Sequence, residues 1–286
     1  MKRILVLGAT GFVGSRLVEK LVERKYEVIA QGRSIKSWTP KCVEERLINI
    51  DFNRIDRKLG EFDTVINCLS TINTERNLWD EYSLSNCSIV SSILNQIYCN
   101  KFIQLSTFSV FSKKSFLHNQ PDPINLYGLS KYVSEKIVEI ERKDKKSTIL
   151  RFPIIIGKNK QSSDFVQYIF NQAQAGKPIE LYDKGIYYRN IIHVSEAVKA
   201  IISSVEVDCL SGFDTIDVGS CNVISMYDIC KFLIKKTDSK SKVLFVKNEE
   251  STNFHSFINV SKTALIKYNC LSIEDNLNLY FKELEL

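Results

Sequence analysis

The chain has 286 residues, 44% of them apolar, and 39 basic against 33 acidic residues leave a formal charge of +6; that composition excludes disordered and fibrous classes and supplies a core large enough to fold unaided. No stretch approaches the roughly 20 uncharged apolar residues of a membrane span, and Met1-Lys2-Arg3 runs into too short an apolar run for a signal peptide, so a soluble, cytoplasmic protein is expected. Eight cysteines without a C-x-x-C pair, and positive charge spread through mixed-sign segments, argue against a disulfide scaffold, a metal site and nucleic-acid binding, and favour an anionic small molecule as partner.

From Lys2 to Phe152 short apolar runs alternate with longer stretches of helical periodicity, the pattern of parallel strands joined by crossover helices. Strands are predicted at Arg3–Leu7, Glu27–Ala30, Arg46–Ile50, Thr64–Leu69, Phe102–Ser106 and Thr148–Phe152. Val13, Leu17, Val18, Leu21 and Val22 form the apolar stripe of a first helix, and further helices are predicted around Trp79–Tyr98 and Tyr127–Arg142. Right-handed crossovers then give an α/β fold with a doubly wound parallel sheet of Rossmann type. Past Gly157 the alternation loosens into helices near Asp164–Ala175, Ser195–Ser204, Met226–Lys235 and Ser261–Lys267 with short strands between them. A dinucleotide-binding domain over 1–157 is therefore expected, followed over 158–286 by a smaller C-terminal substrate-binding lobe, some of whose strands and helices return to the first domain.

The first strand runs directly into Gly8-Ala9-Thr10-Gly11-Phe12-Val13-Gly14, and the amphipathic helix follows at once. Glycines at a strand-to-helix junction allow a tight turn, let backbone N–H groups approach a pyrophosphate and permit close helix–strand packing; Gly8, Thr10, Gly11, Phe12, Val13 and Gly14 are the predicted cradle. The spacing G-x-x-G-x-x-G departs by one residue from the commoner fingerprint. At the end of the second strand, Gln31-Gly32-Arg33 offers no carboxylate for an adenosine ribose, and the Arg33 guanidinium suits a 2′-phosphate, so NADP(H) is favoured and NAD(H) is possible. Asp51 accepts a hydrogen bond from the adenine amine or caps the following turn.

Tyr127 and Lys131 are four residues apart, which places phenol and ammonium on one helix face. A free tyrosine titrates near 10, and a neighbouring cation brings it toward a useful range. Upstream, Ser106 and Thr107 end the fifth strand at the carboxyl edge of the sheet, where a nicotinamide would lie.

With the glycine turn, the Ser106-Thr107 strand end and the Tyr127/Lys131 helix in that order, the chain resembles the extended short-chain dehydrogenase/reductase family, specifically its nucleotide-sugar epimerase, dehydratase and reductase members. Leu150-Arg151-Phe152-Pro153 through Gly157, Arg189-Asn190-Ile191-Ile192-His193-Val194 and Phe213 through Gly219 extend the resemblance over nearly the whole chain. It implies that Tyr127 exchanges a proton with a sugar hydroxyl or carbonyl, that Lys131 holds the nicotinamide ribose and depresses the tyrosine pKa, and that Thr107, or alternatively Ser106, hydrogen-bonds the reacting oxygen. It further implies Phe52, Leu69, Phe152 and Pro153 as cofactor contacts and Arg189 as a contact to the nucleotide diphosphate, or else a member of an ion pair. His193 reads as structural, since Tyr127 already fills the acid–base role; His118 and His255 have no recognisable partners. The implied assembly is a homodimer through the helices near Trp79–Tyr98 and Tyr127–Arg142.

Departures from the family pattern narrow the chemistry. Its dehydratases follow the catalytic threonine with Asp-Glu, whereas Phe108-Ser109 follows Thr107 here; Phe111 replaces a frequent tyrosine, Ile154 a substrate-binding asparagine and Asn190 the aspartate of the R-D pair. The favoured reading is NADPH-dependent reduction of a nucleotide-activated 4-keto-6-deoxyhexose to the 4-hydroxy sugar, for deoxysugar or surface polysaccharide biosynthesis. The rival is an NAD-dependent nucleotide-sugar 4-epimerase, and a third reading is a non-catalytic dinucleotide sensor.

Overall fold

The computed structural model describes residues 1–55, 59–72, 78–112, 120–160, 165–207, 212–247 and 260–285. His118, His255 and Cys209 lie outside these described residues. In chain order the first half comprises β1 (Arg3–Leu7), α1 (Phe12–Glu23), β2 (Glu27–Gln31), α2 (Lys41–Glu44), β3 (Leu47–Ile48), β4 (Phe62–Asn67), α3 (Trp79–Ser83), α4 (Ile89–Gln96), β5 (Cys99–Thr107), α5 (Leu126–Glu141) and β6 (Lys146–Phe152). There follow β7 (Ile154–Ile156), α6 (Phe165–Gln174), β8 (Ile179–Tyr182), β9 (Tyr188–Arg189), β10 (Ile191–His193), α7 (Val194–Glu206), β11 (Phe213–Asp217), β12 (Ile224–Ser225), α8 (Met226–Lys236), β13 (Val243–Val246) and α9 (Ile273–Glu285).

Seven strands form one parallel sheet in the order β11-β6-β5-β4-β1-β2-β3. Its central strands are apolar without alternation because both faces are covered: Ile4, Leu5, Val6 and Leu7 are all buried. One face packs against α1 and α7, through Leu17, Val18 and Leu21 of the former and Ala197, Val198 and Ile201 of the latter. The other packs against α4 and α5, through Val90, Ile93 and Val138. A third core, with Val166, Ile169, Ile229, Leu233, Leu277 and Tyr280, joins α6, α8 and α9 beyond the sheet. The strand order reverses between β1 and β4, and the crevice outside their carboxyl ends is where such sheets bind ligands.

Four elements differ from the sequence expectation. The helix expected over Trp79–Tyr98 is interrupted by a π-helical turn, Leu84–Ser88, and ends at Gln96. The wide turn turns Asn86 inward, where its amide donates to Thr71 O (3.1 Å) and Ser130 Oγ (2.9 Å). The third strand shrinks to Leu47–Ile48, an edge pairing only with Ala30 and Gln31. The segment predicted as a helix at Ser261–Lys267 is a 3₁₀ helix, Val260–Ile266, in which Thr263 and Ile266 are buried at the three-residue repeat of that geometry. Helix α9 has no counterpart among the predicted elements, although Ser272 caps it by accepting from Asp275 N (3.0 Å) and Ile273, Leu277, Tyr280, Phe281 and Leu284 keep a helical repeat.

Candidate active site

Helix α1 begins directly against β1. Gly11 N donates to Gly8 O (2.9 Å), and a Cβ on Gly14 would lie 2.2 Å from that same oxygen, so only glycine lets the helix start there. Gly8 N donates to the buried Gln31 Oε1 (3.1 Å) and Ala9 N to Gln31 O (2.7 Å), which fixes the turn on β2. Gly11 caps α1 without a side-chain acceptor, and no acidic residue occupies the first turn. The N–H groups of Phe12, Val13 and Gly14 thus face outward at the positive end of the helix, a fit for the pyrophosphate of a dinucleotide. Thr10 is buried against Gly32, Val13 packs into the α1 core, and the Phe12 ring lies 4.6 Å from the Arg16 guanidinium carbon.

Other expected cofactor contacts occupy distinct settings. Arg33 is exposed just past β2. Asp51 caps its turn by accepting from Asn53 N (2.9 Å). Phe52 and Leu69 pack on the α4/α5 side, where Leu69 N donates to Asn67 Oδ1 (3.0 Å). Phe152 pairs in register with Thr107, but its ring is buried in the α1/α7 core, so its backbone and the half-buried Pro153 are what it can present to a ligand.

Thr107 and Tyr127 come together at the carboxyl end of β5. Thr107 Oγ1 accepts from Ser109 N (3.1 Å) and lies 3.2 Å from Ser109 Oγ, which folds the chain back after the strand. Asn125 caps α5 by accepting from Gly128 N (2.8 Å), and a Cβ on Gly128 would stand 2.0 Å from Ser109 O. This close approach delivers the Tyr127 hydroxyl to the side chains of Thr107 and Ser70. Lys131, one turn further along α5, is 2% exposed.

Titration behaviour departs from the expected depression of the tyrosine. Burial pushes the Tyr127 hydroxyl up from its ordinary value, and the hydrogen bonds with Ser70 and Thr107 only oppose that. It is Lys131 that moves down, to about 8, because burial penalises its charge more than the nearby Glu135, Cys68 and Cys87 favour it.

Ser106 is not part of this group. Adjacent strand residues point to opposite faces, and Ser106 Oγ donates to Glu135, which also receives both Arg151 Nε (2.9 Å) and Nη2 (2.6 Å). Asp217, 3.8 Å from Arg151 Nη1, completes a buried ionic cluster, and burial raises its pKa to about 6. The hydroxyl is committed to holding α5 on β5 and β6, which corrects the expectation of a substrate contact.

Arg189 lies on β9, partly buried, with Nη1 donating to Tyr188 O (3.2 Å), and burial lowers its pKa. Its neighbour Asn190 is structural: it donates to Ser220 O (2.9 Å) and Asn222 O (3.0 Å) and accepts from Ser220 N (2.9 Å). His193 is structural too, its Nδ1 accepting from Ser195 N (3.3 Å) at the start of α7 and its Nε2 facing Glu283 (3.1 Å). Sequence reasoning missed Ser70, Gln31 and Glu283; a lone serine, glutamine or glutamate outside a motif gives no pattern to find.

Residues 4–219 match the family described as the NAD dependent epimerase/dehydratase family. An uncharacterized UDP-glucose epimerase of Bacillus subtilis, YtcB, is 23% identical over 96% of this chain and 95% of its own. A dTDP-4-dehydro-6-deoxy-D-allose reductase of Streptomyces bikiniensis is 21% identical over 82% and 80%. The crystal structure of UDP-glucuronic acid 4-epimerase from Bacillus cereus, in complex with UDP-glucuronic acid and NAD, superposes with a TM-score of 0.83 over 99% of both chains at 23% identity, a likeness that establishes the fold.

Proposed function

The chain belongs to the NAD dependent epimerase/dehydratase family, and from that we propose that it is a nucleotide-sugar 4-epimerase. The observation that carries this reading is the meeting of Tyr127 with Thr107 at the sheet edge, one helical turn from a buried Lys131. Backbone N–H groups at Phe12–Gly14 would hold the pyrophosphate of NAD and Lys131 its ribose, and the bound nicotinamide supplies reversible hydride chemistry. Thr107 orients the sugar oxygen at C4, and Tyr127, once the positive charges of Lys131 and of the bound nicotinamide favour its phenolate, takes the proton from that oxygen and later returns it. Because Phe108 is buried and Ser109 bonds Thr107, neither supplies the acid and base that dehydration requires. The Bacillus cereus 4-epimerase and the Bacillus subtilis relative, an epimerase by name, support the same reading. A homodimer through α3–α4 and α5 belongs to this proposal, supported by exposed Leu84 in the π-helical turn between α3 and α4 and by exposed Leu129 and Ile140 on α5, as does the division into a dinucleotide-binding part (1–157) and a substrate-binding part (158–286).

One observation favours a second reading, the NADPH-dependent reduction of a nucleotide 4-keto-6-deoxyhexose. The end of β2 presents exposed Arg33 and no carboxylate, and the Streptomyces relative is a reductase by name. Proton NMR separates the two. Under the first reading the protein with NAD interconverts UDP-glucose and UDP-galactose, or the corresponding glucuronic acid or N-acetylglucosamine pair, without net cofactor use. No interconversion, together with one NADPH consumed per nucleotide 4-keto-6-deoxyhexose, replaces the epimerase with the reductase.

A further inference from the structure

We propose that Glu283 is a positioning residue for the dinucleotide cradle: a carboxylate on α9 holds α1, and with it the open N–H groups at Phe12–Gly14, in binding geometry. The inference rests on reading Gly8–Gly14 as that cradle. Three segments converge on this one side chain. Its Oε1 accepts from Arg16 Nη2 of α1 (3.2 Å), and its Oε2 accepts from Lys158 N (2.6 Å) and faces His193 Nε2 (3.1 Å). Since His193 Nδ1 accepts from Ser195 N, Nε2 carries the proton and donates to the carboxylate.

Arg16 passes the constraint to the cradle. Its guanidinium donates to Phe12 O (3.0 Å) and to Lys158 O, and lies over the Phe12 ring. On the other side Gly157 leaves no slack, because a Cβ there would come within 3.0 Å of Phe12 Cζ and 3.2 Å of Glu283 Oε2. Phe12 is the first residue of α1 and one of the three whose N–H groups face the ligand, so its placement sets the donors directly. Helix α9 meanwhile buries Ile273, Leu277 and Tyr280 in the third core. Glu283 therefore ties the part of the molecule beyond the sheet to the helix that binds phosphate.

Titrating NADH and ADP-ribose into the protein by fluorescence and calorimetry tests this without reference to turnover. Glu283→Gln keeps the shape and removes the charge; it should raise the Kd of both ligands about tenfold, while Arg16→Gln does the same and the double variant loses no more than either single one. Leu277→Val, which disturbs α9 in the third core without touching Arg16, should lower the melting temperature and leave both Kd values unchanged. Unchanged affinity in Glu283→Gln and Arg16→Gln, or an equal loss in Leu277→Val, overturns the proposal. If Glu283→Gln does not fold, Arg16→Gln carries the test. A wild-type protein that binds neither NADH nor ADP-ribose refutes the cradle itself, a failure visible before any variant is compared.

Discussion

Tyr127 meets Thr107 and Ser70 through its hydroxyl, and burial raises its pKa further above the ordinary value, so the phenol is the resting form. Tyr127→Phe should lower turnover by roughly 10²–10⁴ and leave cofactor affinity nearly intact, as stopped-flow and binding titrations would record. Because the Lys131 ammonium is held near 8, it is cationic below that pH and neutral above it. Dinucleotide affinity should fall as pH rises past about 8 in the wild type and stay low and flat in Lys131→Met. Arg33→Ala separates the two functional readings: a loss of about 1.5–3 kcal/mol for NADPH with little change for NADH marks a phosphate reader, and equal losses do not. Tyr127 and Lys131 stand out in the sequence because a four-residue spacing puts both on one helix face, whereas Thr107 is set beside them by the family resemblance. Ser106 is misread because strand alternation, which sends neighbouring hydroxyls to opposite faces, matters more than adjacency.

Helix α5 approaches the turn after β5 closely enough that its position depends on a missing side chain. With Cβ only 2.0 Å from Ser109 O, Gly128→Ala must push the helix away and carry Tyr127 from Thr107. The expected result is a fall of at least tenfold in kcat with the protein still folded by circular dichroism. The parallel sheet was readable because its central strands are apolar on both faces, and α1 because its stripe is regular. The π-helical turn was not, since the force that makes it, Asn86 reaching Thr71 and Ser130, comes from residues remote in sequence. Helix α9 carries its own signals in sequence, the Ser272 cap and the repeat of Ile273, Leu277 and Tyr280.

At the scale of the whole molecule, two carboxylates pull the pH dependence of stability in opposite directions. Glu283 is held at about 2, below its ordinary 4.5, so its contribution is complete above pH 4.5 and is lost as pH falls toward 2, on the order of 3 kcal/mol. Asp217 is raised from 3.8 to about 6, so it costs stability at neutrality and returns it as pH falls from 6 toward 4. Denaturant unfolding should therefore show maximal stability between about pH 4 and 6, with Asp217→Asn flattening the upper limb and Glu283→Gln the lower one. Light scattering should give a dimer that Leu84→Glu with Ile140→Glu converts to a monomer; a wild-type monomer rejects the proposed assembly.

The contact between Arg16 and Glu283 spans 267 positions of sequence. Closing so large a loop is slow in entropic terms, and the strands of the nucleotide fold can pair long before it closes. A ribosome-bound chain that has exposed everything up to β6 would already hold six of the seven sheet strands with α1, α4 and α5, yet it would still lack α7 and β11, and α1 its distant anchor. If Glu283 positions the cradle as proposed, the last tenfold of dinucleotide affinity is a late event in the life of the nascent chain, reached when α9 docks.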